Sequence, residues 1–155
     1  MTTLELLDAI RTGIAALEVA PLSTFSVYIG DQIGALPAER VLVRLAGGEE
    51  SPRAISGGIG VFDEMAEVEL TAEFHATDDD TNRDKAYACL AQLKKFCRDN
   101  RDITAGGDKA RYAGWTSPQP VGLDEEDSAD PEGRRRQPLR FASIVATWKV
   151  PSETA

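Results

Sequence analysis

The chain has 155 residues, 42% of them apolar and 28% charged, a balance that suits one globular domain and excludes a disordered chain. Twenty-six acidic residues against 17 basic ones give a net charge of −9. That excess disfavours general nucleic-acid binding, which needs a basic face, and adhesion to anionic lipid.

The first twenty residues lack the basic start and continuous apolar stretch of a signal peptide. No apolar run approaches the roughly 18 residues of a membrane span. The expectation is a soluble, intracellular protein. The same residues predict a helix, with Thr2 and Glu5 placed for a capping box and Leu7, Ile10, Ile14 and Leu17 as its apolar stripe. Gly13 weakens that helix and Pro21 marks its end. A short strand over Phe25–Ile29 is followed by a Gly30-Asp31 turn and a loop through Pro37. Arg40–Ala46 (RVLVRLA) is β-branched and apolar enough for a strand buried on at least one face. Gly47 and Gly48 then predict the opening of a flexible loop holding Glu49, Glu50, Ser51 and Pro52. Gly57-Gly58-Ile59-Gly60 lacks the lysine of a phosphate-binding loop and the spacing of a dinucleotide fingerprint, and reads as a turn or bulge between strands.

Residues 65 to 76 carry the clearest strand signal. Ala66, Val68, Leu70, Ala72, Phe74 and Ala76 alternate with Glu67, Glu69, Thr71, Glu73 and His75. Strict period two puts the first set on a core face and the second toward water or a partner. Three glutamates on one face also oppose nonspecific strand pairing. His75 is the sole histidine, so any site needing two imidazoles is excluded. Nothing near it resembles a nucleophile elbow, and its predicted role is structural.

The polar cluster 77–82 leads into the best helix of the chain. Ala86, Cys89, Leu90, Leu93, Phe96 and Cys97 recur at helical spacing, and Lys94, Lys95 and Arg98 near its end suit the helix dipole. Asp78, Asp80 and Asn82 fit the first three ligand positions of an EF-hand loop. Arg83 stands where that loop needs glycine and Cys89 where it needs glutamate, so a helix cap is the better reading. Cys89 and Cys97, the two cysteines, lie roughly 12 Å apart along one helix, beyond the roughly 7 Å reach of a disulfide. They are expected to be buried free thiols.

Gly106-Gly107 breaks the helical pattern. Arg111–Val121 reads as an irregular edge strand, because Pro118 and Pro120 cannot donate to a ladder. A flexible loop is predicted over 122–137, and Leu139–Val150 closes the chain as a strong strand. The loop carries Asp124, Glu125, Glu126, Asp127, Asp130 and Glu132, then Arg134, Arg135 and Arg136. Two readings stand: a solvated hairpin loop whose opposed charges partly neutralise each other, or an interaction loop that orders when a partner supplies complementary charge. Phosphate binding by the arginines is disfavoured by the adjacent carboxylates. The fold class read from this order is α+β, an antiparallel-rich mixed β-sheet of four to five strands with two helices packed on one face, in one domain over 1–155.

Three features together resemble the tail-terminator, or tail-completion, proteins of long-tailed bacteriophages. One is the N-terminal helix LELLDAIRTGIAAL followed by a short strand. Another is the alternating strand MAEVELTAEFHA running through a polar turn into the helix TNRDKAYACLAQLKKFCRDN. The last is a proline-bearing strand, an acidic loop ending in EGRRR, and the strand LRFASIVATWKV. The resemblance lies in element order and pattern, over most of the chain. It implies a virion structural protein, not an enzyme, without cofactor, metal or catalytic residues. Such a protein forms a homo-hexameric ring at the head-proximal end of the tail, after assembly in the host cytoplasm. Its partners would be copies of itself, the tail-tube protein and the head-tail connector, with DNA only passing through the lumen and no membrane.

The surfaces expected to carry those contacts are Glu67, Glu69 and Glu73 on the strand face and Asp124, Glu125, Glu126, Asp127, Arg134, Arg135 and Arg136 in the loop. The charged stretch 47–57 is a further expected contact. Six copies at −9 each would carry −54, so specific contacts, a partner or salt would have to offset strong self-repulsion. The alternatives are a small intracellular protein-binding adaptor domain and another head-tail neck component.

Overall fold

A computed structural model describes residues 1–30, 38–52, 61–75, 79–117, 119–124 and 139–153. Helix α1 spans Thr3–Ala15 and starts at the capping box anticipated from Thr2 and Glu5. Thr2 Oγ1 accepts from the Glu5 amide at 3.1 Å, and Glu5 Oε2 accepts from the Thr2 amide at 2.7 Å. A cap contributes about 1 kcal/mol, whereas each buried leucine or isoleucine contributes about 1.5–3 kcal/mol. Leu6, Leu7, Ile10 and Ile14 are all buried, so packing holds α1 in place and the cap only sets where it begins. After a cis Ala20-Pro21 bond, a single 3-10 turn at Leu22–Thr24 leads into strand β1, Ser26–Ile29.

Strand β2 runs Glu39–Pro52 and β3 runs Val61–His75, paired antiparallel along their whole lengths. Helix α2 follows over Asp79–Asp99, then β4 (Asp102–Ala105), β5 (Asp108–Thr116), β6 (Val121–Asp124) and β7 (Leu139–Glu153). The sheet order is β1-β2-β3-β7-β5-β4, with β6 beside β7 beyond the end of β5. Among the described residues only β1 with β2 is a parallel pair.

Seven strands among the described residues correct the expected four to five. Two local causes account for the difference. Gly106 and Gly107 do not stop the helix, which ends at Asp99. Both adopt positive φ, 59° and 81°, the conformation of the tight turn that joins antiparallel strands, and so they create β4. The proline-bearing stretch 111–121 is two strands, with a break before Val121. Tyr112–Thr116 lies beyond the end of β4, so that part of β5 is the edge the prolines implied. A third correction concerns Gly47 and Gly48. They do not open a loop: β2 continues through them to Pro52, with a bulge between Leu45 and Gly47 absorbing the irregularity. Gly57–Gly60 and the remainder of the stretch 53–57 lie outside the described residues.

Both helices pack on one face of the sheet, as expected. Both edge strands, β1 and β4, touch α1, so the sheet curls around the helices. Period two is visible in the burial. Val41 and Val43, then Ala66, Val68, Leu70, Ala72 and Phe74, then Ala142, Ile144, Ala146 and Trp148 face the helices and are almost fully buried. Gly13 marks where the helices approach closely: a Cβ there would stand 2.8 Å from Phe96 Cε2. Cys89 and Cys97 are free and buried in this core, and burial pushes both thiols up to about 12. Gln92 ties α2 to the loop after α1, accepting from the Leu22 amide and donating to the Val19 and Ala20 carbonyls. Among the described residues no helix is long and apolar enough to cross a membrane.

Candidate interaction surface

The face of the sheet that carries no helix is built from the alternate residues of β2, β3, β7 and β5. Its centre is a ladder of cross-strand partners. Arg40 stands opposite Glu73 and Arg44 opposite Glu69, because both pairs are spaced four residues apart on antiparallel strands. Arg40 donates to Glu73 Oε2 through Nε at 2.9 Å and through Nη2 at 2.8 Å. Arg44 Nη2 pairs with Glu69 Oε1. Between these rungs Leu42 and Thr71 are both 5% exposed, and Thr71 Oγ1 lies 3.0 Å from Ser143 Oγ on β7. Ser117 Oγ donates to the Ser143 carbonyl at 2.6 Å, which pins the end of β5 to the same row.

The three glutamates expected to form a negative stripe are therefore not equivalent. Glu69 and Glu73 are neutralised within the chain by arginines of β2. Glu67 alone of the three faces no cation on that strand: Gly47 stands opposite, and a Cβ there would come 3.0 Å from Glu67 Oε2. Glu67 is exposed and keeps its charge available for a partner. His75 ends β3, also exposed. Asp124 closes β6 opposite Leu139. Glu125, Glu126, Asp127, Arg134, Arg135 and Arg136 lie outside the described residues.

Sequence reasoning missed Arg40 and Arg44, although a signal existed. Their spacing of four on one face of a strand matches that of Glu69 and Glu73, and direct cross-strand pairs of opposite charge stabilise a sheet. A second missed group lies further along the same face. Arg111 on β5 stands opposite Lys149 on β7, and Lys109, Arg111, Lys149 and Pro151 line a cavity of about 250 Å3. Lys109 Nζ is 3.9 Å from Asp102 on β4, a long and exposed contact. The helix-bearing side supplies two cation–aromatic contacts at its margins. Lys85 Nζ sits 4.8 Å from the Phe74 ring centroid, and Lys94 Nζ sits 4.4 Å from that of Trp115.

Among the described residues no three His, Cys, Asp or Glu side chains come together as a metal site. What the open face offers is a broad polar surface, mostly self-neutralised at its centre, with the exposed Glu67 and Arg111 facing no opposite charge on the neighbouring strand, β2 or β7, among the described residues.

No family model and no curated protein matches the chain. Among solved structures the chain is similar to one described as the virion of a native gene transfer agent particle. The match has 17% identity and a TM-score of 0.51, over 96% of this chain and 96% of that one. At that identity the likeness is one of fold, and it runs from end to end of both chains.

Proposed function

We propose that this chain is a virion structural protein of a phage-like particle, a tail terminator whose copies close into a ring, cap the tail tube and join it to the head connector. The observation that carries this reading is the fold shared with a virion-particle chain over nearly the whole length of both. The sequence resemblance to tail terminators, drawn from element order, supports the finer role. The role is structural and not enzymatic, with tube subunits, connector and neighbouring copies as partners.

Physical features of the chain suit such a part. The β3 and β7 strands have 15 residues each, about 50 Å of extended chain, whereas α2 has 21 residues and spans about 31 Å. Strands longer than the helices that cover them would give each copy an arm with which to reach a neighbour. A ring uses contacts between two different patches of the same chain, which close on themselves when the rotation is right. Light scattering on the concentrated chain tests the ring directly. A particle six times the 16.7 kDa chain mass is the expected result; a species that stays at one chain mass at every concentration would overturn it.

A further inference from the structure

We propose that the cavity lined by Lys109, Arg111 and Lys149 is a receptor for carboxylates, and that its occupant is the acidic segment beginning at Asp124 of a second copy of this chain. The proposal rests on the ring reading for its setting and adds to it the pair of surfaces that meet.

The pocket is unusual for this protein. In a chain of net charge −9, three cationic side chains line one cavity of about 250 Å3 on the open face. Arg111 and Lys149 are held opposite each other by the β5–β7 register, and Lys109 is two residues before Arg111 on the same face. Like charges directly opposite each other destabilise a sheet unless an anion is present. For Lys109 and Arg111 the described residues supply little of that anion. Asp102, opposite Arg111, reaches Lys109 only at 3.9 Å and with both side chains more than half exposed. The register also sets Asp63 across from Pro151 at the rim, and Lys149 has an electrostatic partner already. Arg111 is exposed and, among the described residues, makes no ion pair. A planar guanidinium flanked by two ammonium groups suits a carboxylate, which it can hold through two parallel hydrogen bonds.

The densest acidic run in the chain is Asp124-Glu125-Glu126-Asp127. Chain geometry forbids its own copy from using it there. Asp124 pairs with Leu139, and Lys149 lies ten residues further along β7, about 33 Å of strand. Asp127 is three residues beyond Asp124, at most about 11 Å of extended chain. The run can therefore meet the pocket only on another copy. A head-to-tail contact of this type joins two different patches, as a closed ring requires, and it puts complementary charge where the −9 of each copy would otherwise repel.

The test uses the intact chain with its own run neutralised (D124N, E125Q, E126Q and D127N together), so that the pocket is not already filled. A fluorescent peptide of residues 121–133 is titrated into it at low ionic strength. Saturable binding is expected, weakening about ten-fold in the K109E/R111E variant and also falling in R111Q, a milder change at an exposed site. Circular dichroism confirms that each variant is folded. Absence of binding, or binding that neither variant weakens, overturns the proposal. Light scattering on the otherwise native chain separates this from the ring reading. A ring that forms equally well with K109E/R111E contradicts the pocket and leaves the ring standing. Peptide binding lost on K109E/R111E in a chain that never forms a ring supports the pocket and removes the ring.

Discussion

Glu73 Oε2 accepts two hydrogen bonds from Arg40, through Nε at 2.9 Å and Nη2 at 2.8 Å, across β3 and β2. Arg40 is 9% exposed, so this guanidinium has little water to fall back on if the carboxylate is removed. Removing one partner of a largely desolvated pair costs more than the pair itself contributes, because the remaining buried charge is left under-compensated. Glu73→Ala should therefore lower the unfolding free energy by about 2–3 kcal/mol. Glu67→Ala, on the same face but exposed and without an opposing cation, should change it by less than about 0.5 kcal/mol. Urea unfolding at constant m-value distinguishes the two.

Gly13 sets two effects against each other. Alanine in a helix interior is favoured over glycine by about 1 kcal/mol. Its Cβ would stand 2.8 Å from Phe96 Cε2, however, in a core where Phe96 is almost fully buried. Overpacking typically costs about 1–3 kcal/mol, so the clash should win and Gly13→Ala should destabilise. Combining it with Phe96→Leu should show favourable coupling in a double-mutant cycle, because the smaller side chain makes room. Additive effects would show that the two positions do not compete for space.

The two buried thiols give a pH dependence with a fixed sign. Burial raises both Cys89 and Cys97 to about 12, whereas an unfolded thiol titrates near 9. Below pH 9 both states hold their protons and the thiols contribute in full. Above it the unfolded chain releases them first, so stability is lost progressively between about pH 9 and 12. The slope is about 1.4 kcal/mol per pH unit for each thiol. Tyr112, also raised chiefly by burial, adds to the same trend. The measurement is the difference in slope between the native chain and a Cys89→Ala/Cys97→Ala variant, since Tyr112 is common to both. Equal slopes would show that the thiols titrate alike folded and unfolded.

At the β4–β5 turn, Gly107→Ala should cost about 1 kcal/mol, from the positive φ alone. Gly106→Ala should cost more, because its Cβ would also stand 2.7 Å from Glu5 Oε2, the oxygen that caps α1. Thermal unfolding of the two variants side by side gives the order. A reversed order would remove Glu5 from the explanation.

Elements whose residues declare a period were legible in the sequence. The alternation from Ala66 to Phe74, the helical spacing from Ala86 to Cys97 and the Thr2/Glu5 cap all lie where their local chemistry puts them. Features that depend on what lies opposite were not. Whether Gly47-Gly48 bends the chain or continues a strand depends on β3 beside it. The neutralisation of Glu69 and Glu73 depends on a register that a single strand does not contain. The Arg111–Lys149 pair joins residues 38 positions apart on strands that become neighbours only in the sheet. Of the candidate contact residues, Glu67 emerges as exposed, Glu69 and Glu73 as internally paired, and the run after Asp124 enters only through the reach of its chain.

In the proposed function this chain caps a tube by closing into a ring upon it. The direct measurement is electron microscopy of tail-tube subunits polymerising with and without the chain. Short tubes, each ending in one six-fold ring of this chain at a single end, are the predicted result. Tubes that grow to the same length with no density added at either end would contradict it.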